Sequence, residues 1–246
     1  MEIKQVRDLT LISIDDKRYM GISCDSCGAI GIKEHDVVKA SPQITAYHTA
    51  KVALAELMSM GFTPLVLADG LAVEMEDTGR QLIEGFNTAI SMLKTCNVHL
   101  TGSTEENMKT VQTSMGITCV GICDKDKLKY KKTSNSDICM LIGLPLVGNG
   151  VLNNPDKVMD VSDYENLYLC DFVKEILPVG SRGIASELND LCNYNNLSFN
   201  YIDNISVDTN QSAGPSCCCL ITLDSMNVKK IEKLINKPVE ILGSFH

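Results

Sequence analysis

The feature that most limits how this chain can fold is a pair of short apolar runs, each closed by acid, with a glycine turn behind them. Leu9, Leu11, Ile12 and Ile14 lead into Asp15 and Asp16; Tyr19, Met20, Ile22 and Cys24 lead into Asp25, after which Gly28 and Gly31 fall in CGAIG. Such runs read as strands, and a hairpin of the two is expected to bring Asp15, Asp16 and Asp25 towards one another. Three carboxylates at close range call for a cation. Mg²⁺ takes oxygen ligands from one or two carboxylates and fills its other positions with water and phosphate oxygens. Gly28 and Gly31 let backbone pass near a phosphate with no side chain in the way. The same residues also suit a surface hairpin with solvated acids, since Asp is common in turns.

Further on, Ala46, Ala50, Ala53, Leu57 and Met60 recur at steps of four and three, which predicts a helix from Gln43 to Met60 behind Pro42, ended by Gly61. His48, Lys51 and Ser59 mark its polar stripe, with Glu56 at the edge. Pro64 opens a strand, Asp77 is expected to cap a second helix through about Leu93, and VHLTG is the next strand. Leu100 to Gly121 then reads as strand, tight turn, acidic loop and strand. Gly102 there gives backbone access to a phosphate, Ser103 and Thr104 offer hydroxyls with Asn107 beside them, and Glu105 and Glu106 offer metal ligands. Ser103 and Glu106 also have capping-box spacing, and a helix N-terminus is itself an anion site.

The polar run 125–137, with five lysines, reads as a solvated linker between domains 1–125 and 136–246. Beyond it come a strand, a helix from about Ser162 to Ile176, and PVGSRGIASELNDL, a glycine turn feeding a helix with Ser181 and Arg182 placed to meet an anion. A buried strand after SAGPS, a helix from Val228 to Ile235 and a short strand complete the chain. Strands alternating with helices in two halves give an α/β (α+β) class.

Composition narrows the function. At 246 residues with 44% hydrophobic and 22% charged side chains, the chain folds without needing disulfides. A net charge of -9 disfavours nucleic acid or an anionic membrane as partner, since both need clustered Lys and Arg. Eleven cysteines with no apolar leader point to a reducing cytoplasm. Cys24 with Cys27, and Cys119 with Cys123, raise structural zinc, but Cys119 and Cys123 fall in a strand-like run and Cys217, Cys218 and Cys219 must alternate between the faces of a strand, where buried thiols act as small hydrophobes. No apolar run approaches a bilayer-spanning length, and no Walker A, protein-kinase or GxSxG signature is present.

Taken as a set, the acid pair, the strand-end Asp25 with its glycine turn, ELMSMGFTP, the GST loop with TSMGITCVG, VGSRGIASEL and SAGPS resemble one superfamily over nearly the whole chain. It is that of aminoimidazole ribonucleotide (AIR) synthetase, thiamine-monophosphate kinase, selenophosphate synthetase and the hydrogenase maturation factor HypE. The thiamine-monophosphate kinase pattern of GDD, TTD, NxSDxxAMGAxP and GGDT supplies acids for Mg²⁺ ions on ATP. Asp15 and Asp16 match its first part, Asp25 its second, and Glu56 with Met60, Gly61 and Pro64 its third. Ser103 stands where the fourth part has Asp, and Ala53 replaces the Asn of the third. With CDSCGAIG, TGSTEEN and a shorter chain, these departures make it more similar to the α-ribazole kinases of cobamide salvage. The resemblance implies a two-domain PurM-like fold, with an N-terminal sheet that dimerises into a β-barrel and a C-terminal α/β domain closing over ATP.

The expected function is that of an ATP- and Mg²⁺-dependent small-molecule kinase acting on an alcohol or riboside, with metal ligands among Asp15, Asp16, Asp25, Glu56, Glu105 and Glu106. Phosphoryl transfer asks mainly for positioning and charge neutralisation. His35 with Asp36 reads either as a pair that orients the acceptor hydroxyl or as a surface histidine beside a solvating acid, and Lys4 and Arg7 of the N-terminal segment are within reach of phosphates. An ATP-driven ligase and a nucleotide-binding maturation scaffold without turnover are the alternatives.

Overall fold

The computed structural model describes residues 2–246. The chain divides into two compact units, one of residues 1–58 with 62–127 and one of residues 59–61 with 128–246. The first contains β1 (Ile3–Val6), β2 (Leu9–Ser13), β3 (Arg18–Gly28), β4 (Ile30–Gly31), β5 (Val38–Lys39), α1 (Pro42–Ser59), β6 (Thr63–Leu71), α2 (Arg80–Ser91), β7 (His99–Thr104) and β8 (Ser114–Asp124). Its six-stranded sheet runs β1-β2-β3-β8-β6-β7, in which β6 and β7 pair in parallel with α2 in the crossover between them; β4 and β5 form a separate parallel pair.

Alternation along the strands decides the faces of this sheet. Leu9 and Leu11 of β2, Gly21 and Ser23 of β3, Leu67 and Leu71 of β6, and Met115, Ile117, Cys119 and Cys123 of β8 are buried, and by register they share one face. Helix α1 covers it, running antiparallel to β3: Thr49 bonds the Cys27 thiol, Ser23 Oγ donates to the Ala53 carbonyl at 2.7 Å, and Leu57 lies over Gly121. The pair Gly21 and Gly121 admits this layer, because a methyl group at either position would run into Phe62 or Leu57. The small residues of the helix serve the same close approach, Ala46 meeting Gly85 of α2. On the opposite face Ile12, Met20, Ile22, Val120 and Ile122 remain half-exposed.

The second unit contains β9 (Ile138–Gly143), α3 (Asn149–Leu152), α4 (Val161–Tyr168), β10 (Val173–Pro178), α5 (Gly183–Asn195), β11 (Phe199–Tyr201), β12 (Cys218–Leu223), α6 (Val228–Leu234) and β13 (Val239–Phe245). Its antiparallel sheet runs β10-β12-β9-β13-β11. Ile184, Leu188 and Leu191 of α5 join Cys139, Leu141, Cys218 and Leu220 in one core cluster. The Tyr164 hydroxyl of α4 donates to the Ser216 and Cys218 carbonyls. Every residue of β12 is buried, so CCLITL shows no alternation, and its one polar side chain, Thr222, is hydrogen-bonded to Thr133.

Three expectations about elements are corrected. The helix expected over 162–176 stops at Tyr168; Val173–Pro178 extends as β10 against β12. Asp77 does not cap α2, whose N-cap is Gly79 with no side-chain bond. The segment 128–137 is built into the second unit instead of being a solvated linker. Thr133 is buried and gives both its amide and its hydroxyl to Glu175, and the buried Asp137 pairs with Lys174 at 2.6 Å.

Candidate functional site

The acids expected to cluster do not. An antiparallel hairpin places the end of its first strand beside the start of its second. Asp15 and Asp16 therefore occupy the β2–β3 turn next to Arg18, which pairs with Asp124, whereas Asp25 is seven residues further along β3 opposite Ile117. At about 3.3 Å per residue that is roughly 23 Å. Asp15 is also occupied: it accepts from the amides of Lys17 and Arg18 and pairs with the Arg18 guanidinium at 2.7 Å, which holds its carboxyl below the usual range. Lys4 is at this same end, its ammonium 3.0 Å from the Tyr19 hydroxyl. Glu56 lies beyond Ala53 on α1, on the far side of Ser23 from Asp25.

Asp25 itself is half-buried on the helix-covered face, and burial raises its pKa against the opposing bond from the Ser26 amide. The turn at its end of the sheet, between β1 and β2, carries Arg7 and the exposed Asp8. Across the sheet, Asp25 and Asp69 are both paired with Ile117, one from β3 and the other from β6. They therefore share a face and a row, with Cα atoms roughly 10 Å apart at two strand spacings. Asp69 pairs in turn with Gly102 of β7, and a Cβ at Gly102 would overlap its carboxylate. Burial raises the Asp69 pKa, opposed by a bond from the Ser103 amide. Asp69, Gly102, Ser103 and Thr104 line a cavity of about 270 Å³ together with Met75 and Ile83. Sequence reasoning missed Asp69; the signal was a charged residue between Leu67 and Leu71 at an inward position of an apolar strand.

Asp36 and its neighbours are bonded within the fold. Asp36 is buried, accepting from the Lys33 amide (2.8 Å), the Thr113 amide (2.7 Å) and the Thr113 hydroxyl (2.7 Å). Burial pushes its carboxyl up, but these donors outweigh burial and hold it below the ordinary range. Gly31 has no room for a side chain because this same pair fills the space, whereas Gly28 is open. His35 is exposed and fixed through its backbone, its amide donating to the Val111 carbonyl. Beside them Glu74 accepts from Lys33 Nζ (2.6 Å) and from the amide and hydroxyl of Thr110.

No helix follows Ser103, so the capping box does not form; the chain stays extended to Thr104. Glu106 accepts instead from the Thr104 hydroxyl (2.7 Å) and the Met75 amide (3.1 Å), and Glu105 from the amides of Asn107 and Met108. In the second unit, Ser181 and Arg182 precede α5, but the Arg182 guanidinium turns along its own helix to Asp190 at 2.8 Å and Glu187 at 3.6 Å. Cys24 and Cys27 point to opposite faces of β3, so this CxxC is not a zinc knuckle. Among the described residues no group of three or more His, Cys, Asp or Glu side chains is placed to hold a metal, and no helix is long and apolar enough to cross a membrane.

One unit with a mixed sheet carrying two half-buried carboxylates on its helix-covered face, and a second unit built on a five-stranded antiparallel sheet, define a two-unit α+β protein of PurM-like fold. Residues 7–123 match the model of the AIR synthase related protein, N-terminal domain. Among solved structures, thiamine-monophosphate kinase from Stenotrophomonas maltophilia is similar over 99% of this chain and 88% of its own, with 15% identity and a TM-score of 0.67. PurL of T. maritima complexed with ADP matches 96% of this chain and 41% of its own (13% identity, TM-score 0.66). The hydrogenase maturation protein HypE in complex with ATP matches 92% and 76% (12% identity, TM-score 0.63). No curated protein matches the sequence.

Proposed function

We propose that this protein is an ATP- and Mg²⁺-dependent kinase for a small-molecule alcohol, with the 5′-hydroxyl of α-ribazole as the first acceptor to test. The observation that carries the reading is Asp25. It is a half-buried carboxylate on the inner face of the sheet, its pKa raised by burial, and it makes no ion pair among the described residues. Its row also contains Asp69, beside a cavity edged by the Ser103 and Thr104 hydroxyls. Two carboxylates fit a Mg²⁺ ion whose other ligands are phosphate oxygens and water, and fit poorly a resident metal closed by protein ligands. Bound there, Mg²⁺ would neutralise charge on the transferred phosphoryl group. Asp25 would hold the ion, while Gly102, Ser103 and Thr104 would offer amides and hydroxyls to phosphate. The ADP and ATP bound to neighbours of this fold support a nucleotide site. Ser103 and Ala53, which depart from the thiamine-monophosphate kinase pattern, support the α-ribazole reading.

Thiamine monophosphate is the second acceptor, favoured by the whole-chain likeness to its kinase. Incubation with ATP and Mg²⁺ followed by mass spectrometry tests both: a gain of about 80 Da, one phosphoryl group, on α-ribazole or thiamine monophosphate names the acceptor. ADP formed only with a carbonyl-type substrate would identify a ligase. Nucleotide binding with no turnover on any acceptor would identify a scaffold.

We further propose that the half-exposed face formed by Ile12, Met20, Ile22, Val120 and Ile122 is covered by a second copy of the chain, since a contiguous apolar sheet face of this extent is characteristic of interaction surfaces.

A further inference from the structure

We propose that Asp69 is the second carboxylate of the Mg²⁺-triphosphate site, supplying from β6 the negative charge that the neutral Ser103 on β7 cannot. The proposal rests on the reading that the chain binds ATP with Mg²⁺, and adds to it a residue that the β7 loop does not contain.

Four observations converge on Asp69. It stands at an inward register position between the buried Leu67 and Leu71, where an apolar side chain would cost nothing and an ionised one is costly unless its charge is met. Its neighbour on β7 is Gly102, the residue type that leaves room for the carboxylate, since any Cβ there would overlap it. The Ser103 amide donates to it, so it is oriented at the base of the Ser103–Thr104 segment and faces the cavity those residues line. Asp25 stands in the same row on the same face, and among the described residues neither acid is in an ion pair. A structural role as acceptor for one amide does not need an acid in a buried row shared with a second acid. A cation delivered from outside accounts for both charges.

Glu105 and Glu106 are weaker alternatives, because each carboxylate is tied to amides and a hydroxyl of its own loop and its neighbours. With no three-donor group among the described residues, free metal should bind weakly and the metal–nucleotide complex well.

The test uses the full chain, Mn²⁺ as a spectroscopic substitute for Mg²⁺, and the non-hydrolysable analogue AMPPCP. Electron paramagnetic resonance reads bound Mn²⁺, and calorimetry reads analogue affinity with Mn²⁺ and with EDTA. Wild type should bind the analogue more tightly with Mn²⁺. Asp69→Asn should keep the affinity seen in EDTA and lose at least about tenfold of the metal-dependent gain, the lower end of what loss of a metal-supporting group costs. An undiminished gain in folded Asp69→Asn overturns the assignment of Asp69 and leaves the ATP reading standing. Wild type that binds no analogue, with or without metal, overturns both. Asp69→Ser is measured in parallel in case the Asn variant does not fold; if neither folds, Asp69 is a structural residue and the proposal is overturned.

Discussion

Asp36→Asn should cost stability before it costs chemistry. The carboxylate receives the Thr113 amide on Oδ1 and both the Lys33 amide and the Thr113 hydroxyl on Oδ2. An Asn keeps one acceptor oxygen; in its better orientation it retains the two donors on Oδ2 and turns its NH₂ against the Thr113 amide. The loss is one charge-assisted bond, about 1.5–3 kcal/mol, with a buried donor left unmet at about 1–3 kcal/mol more. Taking roughly 3–5 kcal/mol together, and about 2–4 °C per kcal/mol for a chain of this size, the melting temperature should fall by roughly 10 °C.

Acid should erase that difference. The folded carboxyl titrates below its unfolded value, so its contribution is complete above the unfolded pKa near 4 and disappears as pH falls through the lower folded value. Scanning calorimetry of both proteins from neutral pH to pH about 3 therefore tests the magnitude and the sign together. Equal melting temperatures at neutral pH would refute the structural account. Lost turnover at an unchanged melting temperature would return Asp36 to the reaction, beside His35.

Asp15→Asn and Asp16→Asn, in a turn distant from Asp25, should leave nucleotide affinity and turnover at wild-type levels by calorimetry and coupled assay, whereas Asp25→Asn should abolish the Mg²⁺-dependent part of ATP binding. Glu105→Gln and Glu106→Gln, singly and together, should keep turnover, because a Gln carbonyl can accept the same loop bonds; a large loss at unchanged melting temperature would make one of them a metal ligand. Val120→Glu, in the middle of the half-exposed sheet face, should convert a dimer to a folded monomer by light scattering, and wild type that is already monomeric at micromolar concentration would remove the dimer proposal. Because burial raises the pKa of Asp25 and Asp69, Mg²⁺-dependent nucleotide affinity should fall on acidification at a pH above the ordinary carboxylate range, and affinity flat through that range would count against both residues as ligands.

Periodicity made the long elements legible. The three- and four-residue steps of α1 and the alternating burial of β8 are each set by one local rule, so sequence alone places them. The error at 162–176 has an equally local cause: the apolar VKEILP is too short for period to separate helix from strand, and its pairing with β12 decides. The site was harder, because it depends on strand direction and register. Asp15, Asp16 and Asp25 are near in sequence yet at different ends of a hairpin. Asp25 and Asp69, far apart in sequence, meet the same residue, Ile117, through two different ladders. No motif centred on one strand reports that relation. Asp36 is hard to read for a related reason: an acid beside a histidine looks reactive in sequence, and its bonds to Thr113, 77 positions away, are visible only in the fold.

The exposed β2–β3 turn offers a practical opening into this fold. Asp15 closes it through Arg18 and the amides of residues 17 and 18, so the strands on either side are clasped before the chain reverses. Added polypeptide between Asp16 and Lys17 would break that clasp, whereas the exposed side chain of Asp16 can be exchanged without touching it. A fluorescent reporter carried on the exposed side chain at position 16 would ride on the molecule without disturbing the Asp25 end of β3, giving a handle for watching nucleotide arrive.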